Sequence, residues 1–514
     1  MKSVPKKKSV IVIGAGMGGM ATAARLAKKG FVVSLYEAGD RHGGKCRTEW
    51  INGYAFDTGP SLLTLPAVYR DLFARTGDVL GRVVDIKAVD PSFDYRFHDG
   101  TSVQFKNLSR KDTLHAIEKS LGADAATEWN QIMTRAEAMW DVSREPFIES
   151  ELTSIRSLIK RRTIIRDLAI IAPWKSMRSL QINNPYLRKI IDRYATYSGS
   201  DPRVAPAVLS SIAFVEEAFG AWHITGGVGT LADALYQRCL DRGVTFTFNA
   251  KVVEITHEDN RVSGIRLSDG TVISSEIVVS NSDATLVYSN LLKDQSKAVR
   301  KASKKITSME PSLAGFSLLL GLKPSSDEKL HHHTILFPED YDAEFNSIFT
   351  QYLPVEDPTI YICAPQDESM VTTNGHQAWF VLVNAPRHDP TGKKGFDWRD
   401  KEFVDAYAQK IIHLIEARGI PIHSRLDLLE IRTPADLENS VMAPGGSIYG
   451  TSSNGASSAF NRAKNRTPIA GLYCVGGSAH PGGGLPLVGL SAEIVAEAII
   501  NEDAGGRPSS LDRH

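Results

Sequence analysis

Val10-Ile-Val-Ile13 runs straight into Gly14-Ala-Gly-Met-Gly-Gly19. The β-branched run suits a buried parallel strand. Met20 to Lys29 follows with helix-forming composition, and Gly30 stops it. A second strand is predicted over Val32 to Tyr36, ending at Glu37. The order strand, glycine turn, helix, strand, acid is that of a dinucleotide grip. Gly14 allows the tight turn, Gly16 lets the backbone approach a pyrophosphate, and Gly19, or Gly18 beside it, lets the helix pack close to the sheet. The phosphates then meet the helix N-terminus, where free N–H groups and the dipole favour anions. Glu37 is placed to accept hydrogen bonds from ribose hydroxyls and would repel a 2′-phosphate, which disfavours NADP. A lone glycine motif is weak evidence; between these two strands it is strong.

That motif does not separate FAD from NAD. Arg41-His-Gly-Gly-Lys45 follows at once, with Thr48 three further on. A second glycine pair with a cation points to another backbone-and-charge contact with the pyrophosphate. Phe56-Asp-Thr-Gly-Pro-Ser61 adds a further small-residue turn. Together they favour FAD, and the lack of a second nucleotide fingerprint disfavours NAD(P) as a partner. This N-terminus resembles the amine-oxidase-like flavoprotein superfamily, whose second motif is Arg-x-Gly-Gly-Arg. Lys45 departs from it, keeping the charge but losing the fork geometry. The resemblance implies FAD held by Gly14, Gly16, Gly18, Gly19, Glu37, Ala38, Arg41, Gly43, Gly44 and Lys45, and by Gly59, Pro60 and Ser61.

The other informative stretch lies near the end. Gly471-Leu-Tyr-Cys-Val475 reads as a strand and Gly489 to Ile500 as a helix. Between them, Gly476-Gly-Ser-Ala-His-Pro-Gly-Gly-Gly-Leu-Pro-Leu-Val488 is too rich in glycine and proline for regular structure, and lets backbone press against a flat ligand. The helix that follows can direct N–H groups at a flavin's N1–C2=O edge. This loop is similar to the C-terminal signature of bacterial phytoene-desaturase-type carotenoid enzymes. Tyr194-Ala-Thr-Tyr-Ser-Gly-Ser-Asp-Pro202, Ile224-Thr-Gly-Gly-Val-Gly-Thr230, Val278-Val-Ser-Asn-Ser-Asp283 and His332-His-Thr-Ile335 resemble further segments of that family. The wording is most similar to that of 1-hydroxycarotenoid 3,4-desaturases. The resemblance adds Gly476, Gly477, Leu487 and Val488 to the cofactor residues, and a hydrophobic carotenoid as substrate.

Short strands are predicted at Val244 to Phe248, Lys251 to Thr256, Val262 to Leu267 and Ile277 to Val279. They resemble the small β-layer over FAD in this superfamily, which implies that Val252 sets its backbone against the adenine. The fold class expected is α/β: a discontinuous Rossmann-type FAD-binding domain (1–105, 205–290 and 435–514) with an inserted α+β part for substrate and membrane docking (106–204 and 291–434). From Arg156 to Arg178, seven basic residues face one acid, Asp167, and alternate with bulky apolar ones such as Ile164, Ile165, Leu168 and Trp174. This pattern suits a helix in a membrane interface.

Lysine plus arginine equals aspartate plus glutamate over the 514 residues, so the basic excess of a nucleic-acid partner is missing. The four cysteines are far apart and lack metal spacing, which suits a reduced, cytoplasmic protein. No signal peptide is read, and the longest apolar run, Leu313 to Leu322, is half a membrane span. The expectation is a cytoplasmic protein peripherally associated with the membrane.

Desaturation removes a hydride to flavin and a proton from the adjacent carbon, with oxygen or a quinone as the electron acceptor. It needs position and dryness more than an acid/base constellation, and no such constellation is present. His480, in the flavin-edge loop, is the catalytic candidate, as proton acceptor or as a loop-shaping group. Asp201 is weaker and more in keeping with a turn cap. His331-His-His333 is not expected to bind metal, because adjacent side chains do not readily converge. Within the family, phytoene desaturase, ketolase, oxygenase and cis–trans isomerase share the flavin motifs. Amine oxidation would call for a C-terminal Gly-Glu, and Gly476 to His480 holds no acid. A non-catalytic FAD protein is a third class.

Overall fold

A computed structural model describes residues 8–151, 164–293, 296–325, 330–455, 458 and 462–505. Its centre is a five-stranded, all-parallel sheet. In spatial order the strands are Leu472–Cys474, Val278–Ser280, Ser9–Ile13, Val32–Tyr36 and Thr245–Thr247. Ser9–Ile13 lies in the middle, and beyond its first residue it is buried throughout, which is why it carries Val and Ile on both faces. The helices Met17–Lys28, Gly229–Asp241 and Leu485–Asp503 contribute Met20, Leu235 and Val495 to one apolar core against this sheet. The α/β class expected from the sequence is the one found.

Two boundaries differ from the sequence reading. The first helix begins at Met17, inside the glycine motif, and the last begins at Leu485. Composition marks where a helix is comfortable, whereas its first turn is set by where N–H groups lose backbone partners. Two of the four strands assigned to the small β-layer also belong elsewhere. Thr245–Thr247 and Val278–Ser280 hydrogen-bond into the parallel sheet. The layer itself is the antiparallel set Val252–Glu258, Arg261–Leu267 and Val272–Ser274. Three-residue strands carry no period, so only pairing assigns them.

A seven-stranded mixed sheet forms the second layer. Its order is Leu426–Arg432, Ala314–Leu322, Gln377–Ala385, Ile360–Cys363, His333–Leu336, Phe93–Arg96 and Ser102–Phe105. The apolar run ending at Leu322 is one of its inner strands. The last two strands come from the first 105 residues, yet Phe93–Arg96 bonds to His333–Leu336 and carries Ser102–Phe105 on its other edge. Helices Ala123–Arg144, Pro185–Arg193 and Ser211–Phe219 cover this end around Trp129, Leu187 and Phe214.

Of the basic segment, 152–163 lies outside the described residues. The helix Ile164–Ile171 after it buries Asp167 and exposes Ile165 (84%), with Trp174 beyond it at 66%. Among the described residues no helix is long and apolar enough to cross a membrane.

Candidate active site

Four loops leave the carboxyl ends of neighbouring parallel strands and meet, which is where open α/β sheets bind ligands. Gly14 turns at φ +93°, and its N–H donates to the Tyr36 carbonyl at 2.8 Å. Gly16 caps the helix Met17–Lys28 with no side-chain cap and no acid in the first turn, so its N–H groups remain available to an anion. The closeness of the loops explains the glycines. A Cβ at Gly16 would lie 2.5 Å from Asn281 Nδ2, and one at Gly18 would lie 2.6 Å from Asn281 Oδ1 and 3.1 Å from Gly476 Cα. A Cβ at Gly19 would overlap the Gly14 carbonyl.

Glu37 holds this cradle together. Its Oε2 accepts from Ala15 N at 2.6 Å and its Oε1 from Gly39 N at 2.8 Å, with Ala38 in the turn between. Each oxygen retains a lone pair, so the predicted ribose contact is compatible with this anchoring. The backbone at Asn249 and Ala250 donates to Gly39 and Glu37, which brings buried Val252, at the start of its strand, beside the same turn.

The second motif behaves differently from expectation. Gly43 N donates to Ala15 O at 2.9 Å, and a Cβ at Gly44 would lie 3.1 Å from Gly16 Cα, so the glycine pair stacks on the first loop. The two cations do not join it. Arg41 reaches Glu49 at 3.1 Å on the surface, and Lys45 Nζ donates to the carbonyls of Ser447 (3.1 Å) and Ile448 (2.8 Å). Loss of water lowers the Lys45 pKa, against the pull of Asp283. Both cations are thus held by protein groups, Arg41 by the Glu49 carboxylate and Lys45 by carbonyls from residues 447 and 448. A Cβ at Gly59 would overlap Lys45 O, which seats Gly59-Pro60-Ser61 on the same residue.

The loop after Leu472–Cys474 is fixed from below. Val475 N donates to Ser280 O, and Gly476 N donates to Ser491 Oγ at 3.2 Å. Buried Arg462 donates to Gly477 O at 2.8 Å and Tyr449 O at 3.1 Å. Leu487 and Val488 fall in the first turn of Leu485–Asp503, whose cap, Gly484 at φ +102°, has no side-chain bond. His480 is 2% exposed, and its Nε2–H donates to Ser150 O at 2.9 Å. Burial pushes its pKa down to about 4, so the ring is neutral, with Nδ1 as the nitrogen that can accept. Asp201 binds Arg203 through both oxygens and accepts from Arg203 N, as a turn cap does.

Beyond the Gly59–Ser61 turn, Ser61 Oγ meets Tyr361 OH at 2.6 Å, and Tyr361 OH meets His333 Nδ1 at 2.8 Å. His332, His333 and Cys363 bring donor atoms within 4.8 Å of one another. The expectation that adjacent histidines do not converge is corrected for His332 and His333, whose ring centroids lie 4.3 Å apart, and strand pairing adds a third group, with His333 directly across from Cys363. Deeper still, Arg193 lies over Phe93 at 4.7 Å, and Glu216 accepts from Tyr194 OH and Tyr197 OH at 2.6 and 3.0 Å. Asp57, in the Phe56–Ser61 turn, accepts from Thr48 Oγ1 at 2.6 Å and Val228 N at 2.9 Å, and burial pushes its pKa up to about 7.

Asn281, Arg462, Tyr361 and Cys363 were not singled out from sequence. Asn281 had a usable signal, its place just past the end of a parallel strand. The other three depend on long-range pairing. The cradle fits FAD: glycines clear the approach, the helix Met17–Lys28 starts with no side-chain cap, and Glu37 is anchored just past the neighbouring strand.

Residues 17–316 match the family of flavin containing amine oxidoreductases. The chain is 32% identical to a 1-hydroxycarotenoid 3,4-desaturase from Flavobacterium sp. (strain P99-3), over 97% of this chain and all of that protein. It is 29% identical to a 4,4'-diapolycopene oxygenase from Methylomonas sp (96% and 98% covered) and 30% identical to a hydroxyneurosporene desaturase from Rubrivivax gelatinosus (96% and 93%). Cyclohexylamine oxidase from Brevibacterium oxydans shares the fold, at 14% identity and TM-score 0.63, over 97% of this chain and all of that one.

Proposed function

Because this chain belongs to the flavin containing amine oxidoreductase family and is an FAD-dependent oxidoreductase, we propose that it acts on a carotenoid, introducing a C–C double bond at an acyclic end beside existing conjugation. The specific reaction we propose is 3,4-desaturation of a 1-hydroxycarotenoid. The observation that carries this reading is the flavin-edge loop. From Gly476 to Val488 it holds backbone, small side chains and neutral His480, and no carboxylate to steer an amine.

Bound FAD supplies a two-electron acceptor for the hydride. The chain's residues do the rest. The glycines at 14, 16, 18, 19, 43 and 44 bring backbone against the cofactor. Arg462 and Ser491 fix the backbone of the Gly476 loop. Tyr449 packs against Gly483 and, with Leu62 and Leu65 beside Ser61, keeps water away from a hydrocarbon. His480 Nδ1 is the proposed proton acceptor, or His480 holds the loop in shape through Ser150.

The domain plan proposed is 1–105, 205–290 and 435–514 for FAD, and 106–204 and 291–434 for substrate. The exposed Ile165 and Trp174 beside the basic run support docking on the cytoplasmic face of a membrane, where such a substrate dissolves. Reoxidation falls to oxygen or a quinone. Liposome flotation tests the docking: charge reversal of Arg161, Arg162 and Arg166 abolishes binding, and unchanged binding overturns it.

A second reading, oxygenation of the same substrate class, is supported by the likeness to the diapolycopene oxygenase. Expression in cells that make lycopene or 1-hydroxylated acyclic carotenoids separates the two. Desaturation gives a red-shifted pigment lacking two hydrogens, oxygenation a product with added oxygen. An unchanged pigment profile with every acyclic substrate refutes both.

A further inference from the structure

We propose that His332, His333 and Cys363 form a binding site for one zinc-class divalent ion. Three observations carry it. First, the donors come from adjacent strands: His333 pairs directly with Cys363 across His333–Leu336 and Ile360–Cys363, and His332 lies at the bend just before. Directly opposed residues have Cβ atoms about 5 Å apart, a separation that an ion can bridge. Second, the spacing fits. An ion at about 2.0–2.1 Å from nitrogen and about 2.3 Å from sulfur needs donors roughly 3.3–3.6 Å apart in a tetrahedron. His332 Nδ1 and Cys363 Sγ are 3.7 Å apart, and all three donors lie within 4.8 Å. Rotations of roughly 1 Å at the tips close the remainder.

Third, the buried nitrogen lacks a partner. His333 is 0% exposed, and among the described residues its Nε2 has no hydrogen bond. An orphaned buried polar atom asks for an explanation. Its other nitrogen, Nδ1, meets Tyr361 OH at 2.8 Å, which in turn meets Ser61 Oγ. That is the arrangement of a metal-bound histidine, whose second nitrogen donates to an outer partner and so aims the first.

Ion chemistry follows from the donor set. Two imidazoles and one thiolate select a borderline-soft ion such as Zn²⁺ over Mg²⁺ or Ca²⁺. The Cys363 thiol gives up its proton on binding, so one proton is released per ion. Asp57 and the Asp367–His223 pair (2.8 Å) supply charge around a site that then carries one net positive charge. Three protein donors leave a fourth position for water or a small anion. Cys363 Sγ also lies 3.9 Å from Ser61 O, so the ion would tie the seven-stranded sheet to the Gly59–Ser61 turn. This site does not depend on the identity of the organic substrate.

The test uses the FAD-loaded protein, first stripped with a chelator. Co²⁺ titration is expected to give one ion per chain, with tetrahedral d–d bands to the red of the flavin absorption. Tyr361→Phe is expected to weaken binding roughly 10–100-fold, and Cys363→Ser to remove the bands while FAD stays bound. In case Cys363→Ser fails to fold, X-ray absorption at the zinc edge of the Zn²⁺-loaded wild type decides: one sulfur and two imidazoles support the site. A shell without sulfur, no stoichiometric uptake, or full uptake by folded Cys363→Ser overturns it.

Discussion

Substitution of Gly16 separates two reasons why a glycine stands there. Its backbone is at φ −74°, ψ 172°, where alanine is unstrained, so any cost of Gly16→Ala is steric. The added Cβ meets Asn281 Nδ2 at 2.5 Å and Asn281 Cγ at 3.7 Å. Among the described residues, chain neighbours aside, no other heavy atom lies within 4 Å of it. Overpacking of this kind costs about 1–3 kcal/mol, and here it should vanish when Asn281 is shortened. The cofactor-free Gly16→Ala, Asn281→Ala double variant is therefore expected to unfold in urea at the same concentration as Asn281→Ala alone. FAD affinity should not recover. If the pyrophosphate passes over Gly16, the methyl group still stands in its way, and the double variant should bind FAD at least about ten-fold more weakly than Asn281→Ala, or ~1.4 kcal/mol. Flavin fluorescence quenching measures this directly. Equal FAD affinity for the double variant and Asn281→Ala would refute the close approach and leave Gly16 a packing residue only.

Burial of His480 lowers its pKa from 6.5 to about 4, so the unfolded chain binds the extra proton first; stability is full above pH ~6.5 and falls by about 3 kcal/mol as pH drops towards 4. His480→Gln should flatten that limb of a urea-denaturation series while keeping a donor for Ser150, and a glutamine variant no better than His480→Ala in turnover would argue against the loop-shaping role. Asp57 has the opposite sign: its folded pKa is raised from 3.8 to about 7, so its contribution is full below pH ~4 and falls by about 4 kcal/mol as pH rises to 7. Asp57→Asn keeps an acceptor for Thr48 and Val228, and should raise the denaturation midpoint above pH 7; no gain there would contradict the buried-acid reading. Lys45→Met leaves the Ser447 and Ile448 carbonyls without their donor and should cost about 1–3 kcal/mol per carbonyl; a thermal midpoint within error of wild type would place the ammonium elsewhere.

Much of the cradle was legible because its requirements are local. Gly14 to Gly19, Glu37 and Gly43-Gly44 announce themselves by residue types that only a turn, a close approach or an anchored acid demands. Leu472–Cys474 was readable as a strand for the same reason. Side-chain destinations were less legible. The sequence shows that Lys45 is charged, but its hydrogen bonds go to carbonyls some four hundred residues away. The Thr245–Thr247 strand was detected and assigned to the wrong layer, because its sheet is defined by Ser34 to Tyr36. Cys363 stood thirty residues from the histidines and became their neighbour only through the pairing of Ile360–Cys363 with His333–Leu336. Adjacency in sequence was the wrong measure there; register was the right one.

The central sheet has a consequence for how the protein is made. Ser9–Ile13 is flanked by Val32–Tyr36 on one side and Val278–Ser280 on the other, and Leu472–Cys474 extends the sheet beyond that second strand. A ribosome adding about 5–20 residues per second releases the last of these strands on the order of a minute after the first. Until then the glycine loops have no Gly476 to close against and the nascent chain has no complete place for its vitamin-derived cofactor. Loading must therefore follow synthesis, and the half-built sheet, with an apolar edge open, is the species that a chaperone would have to guard.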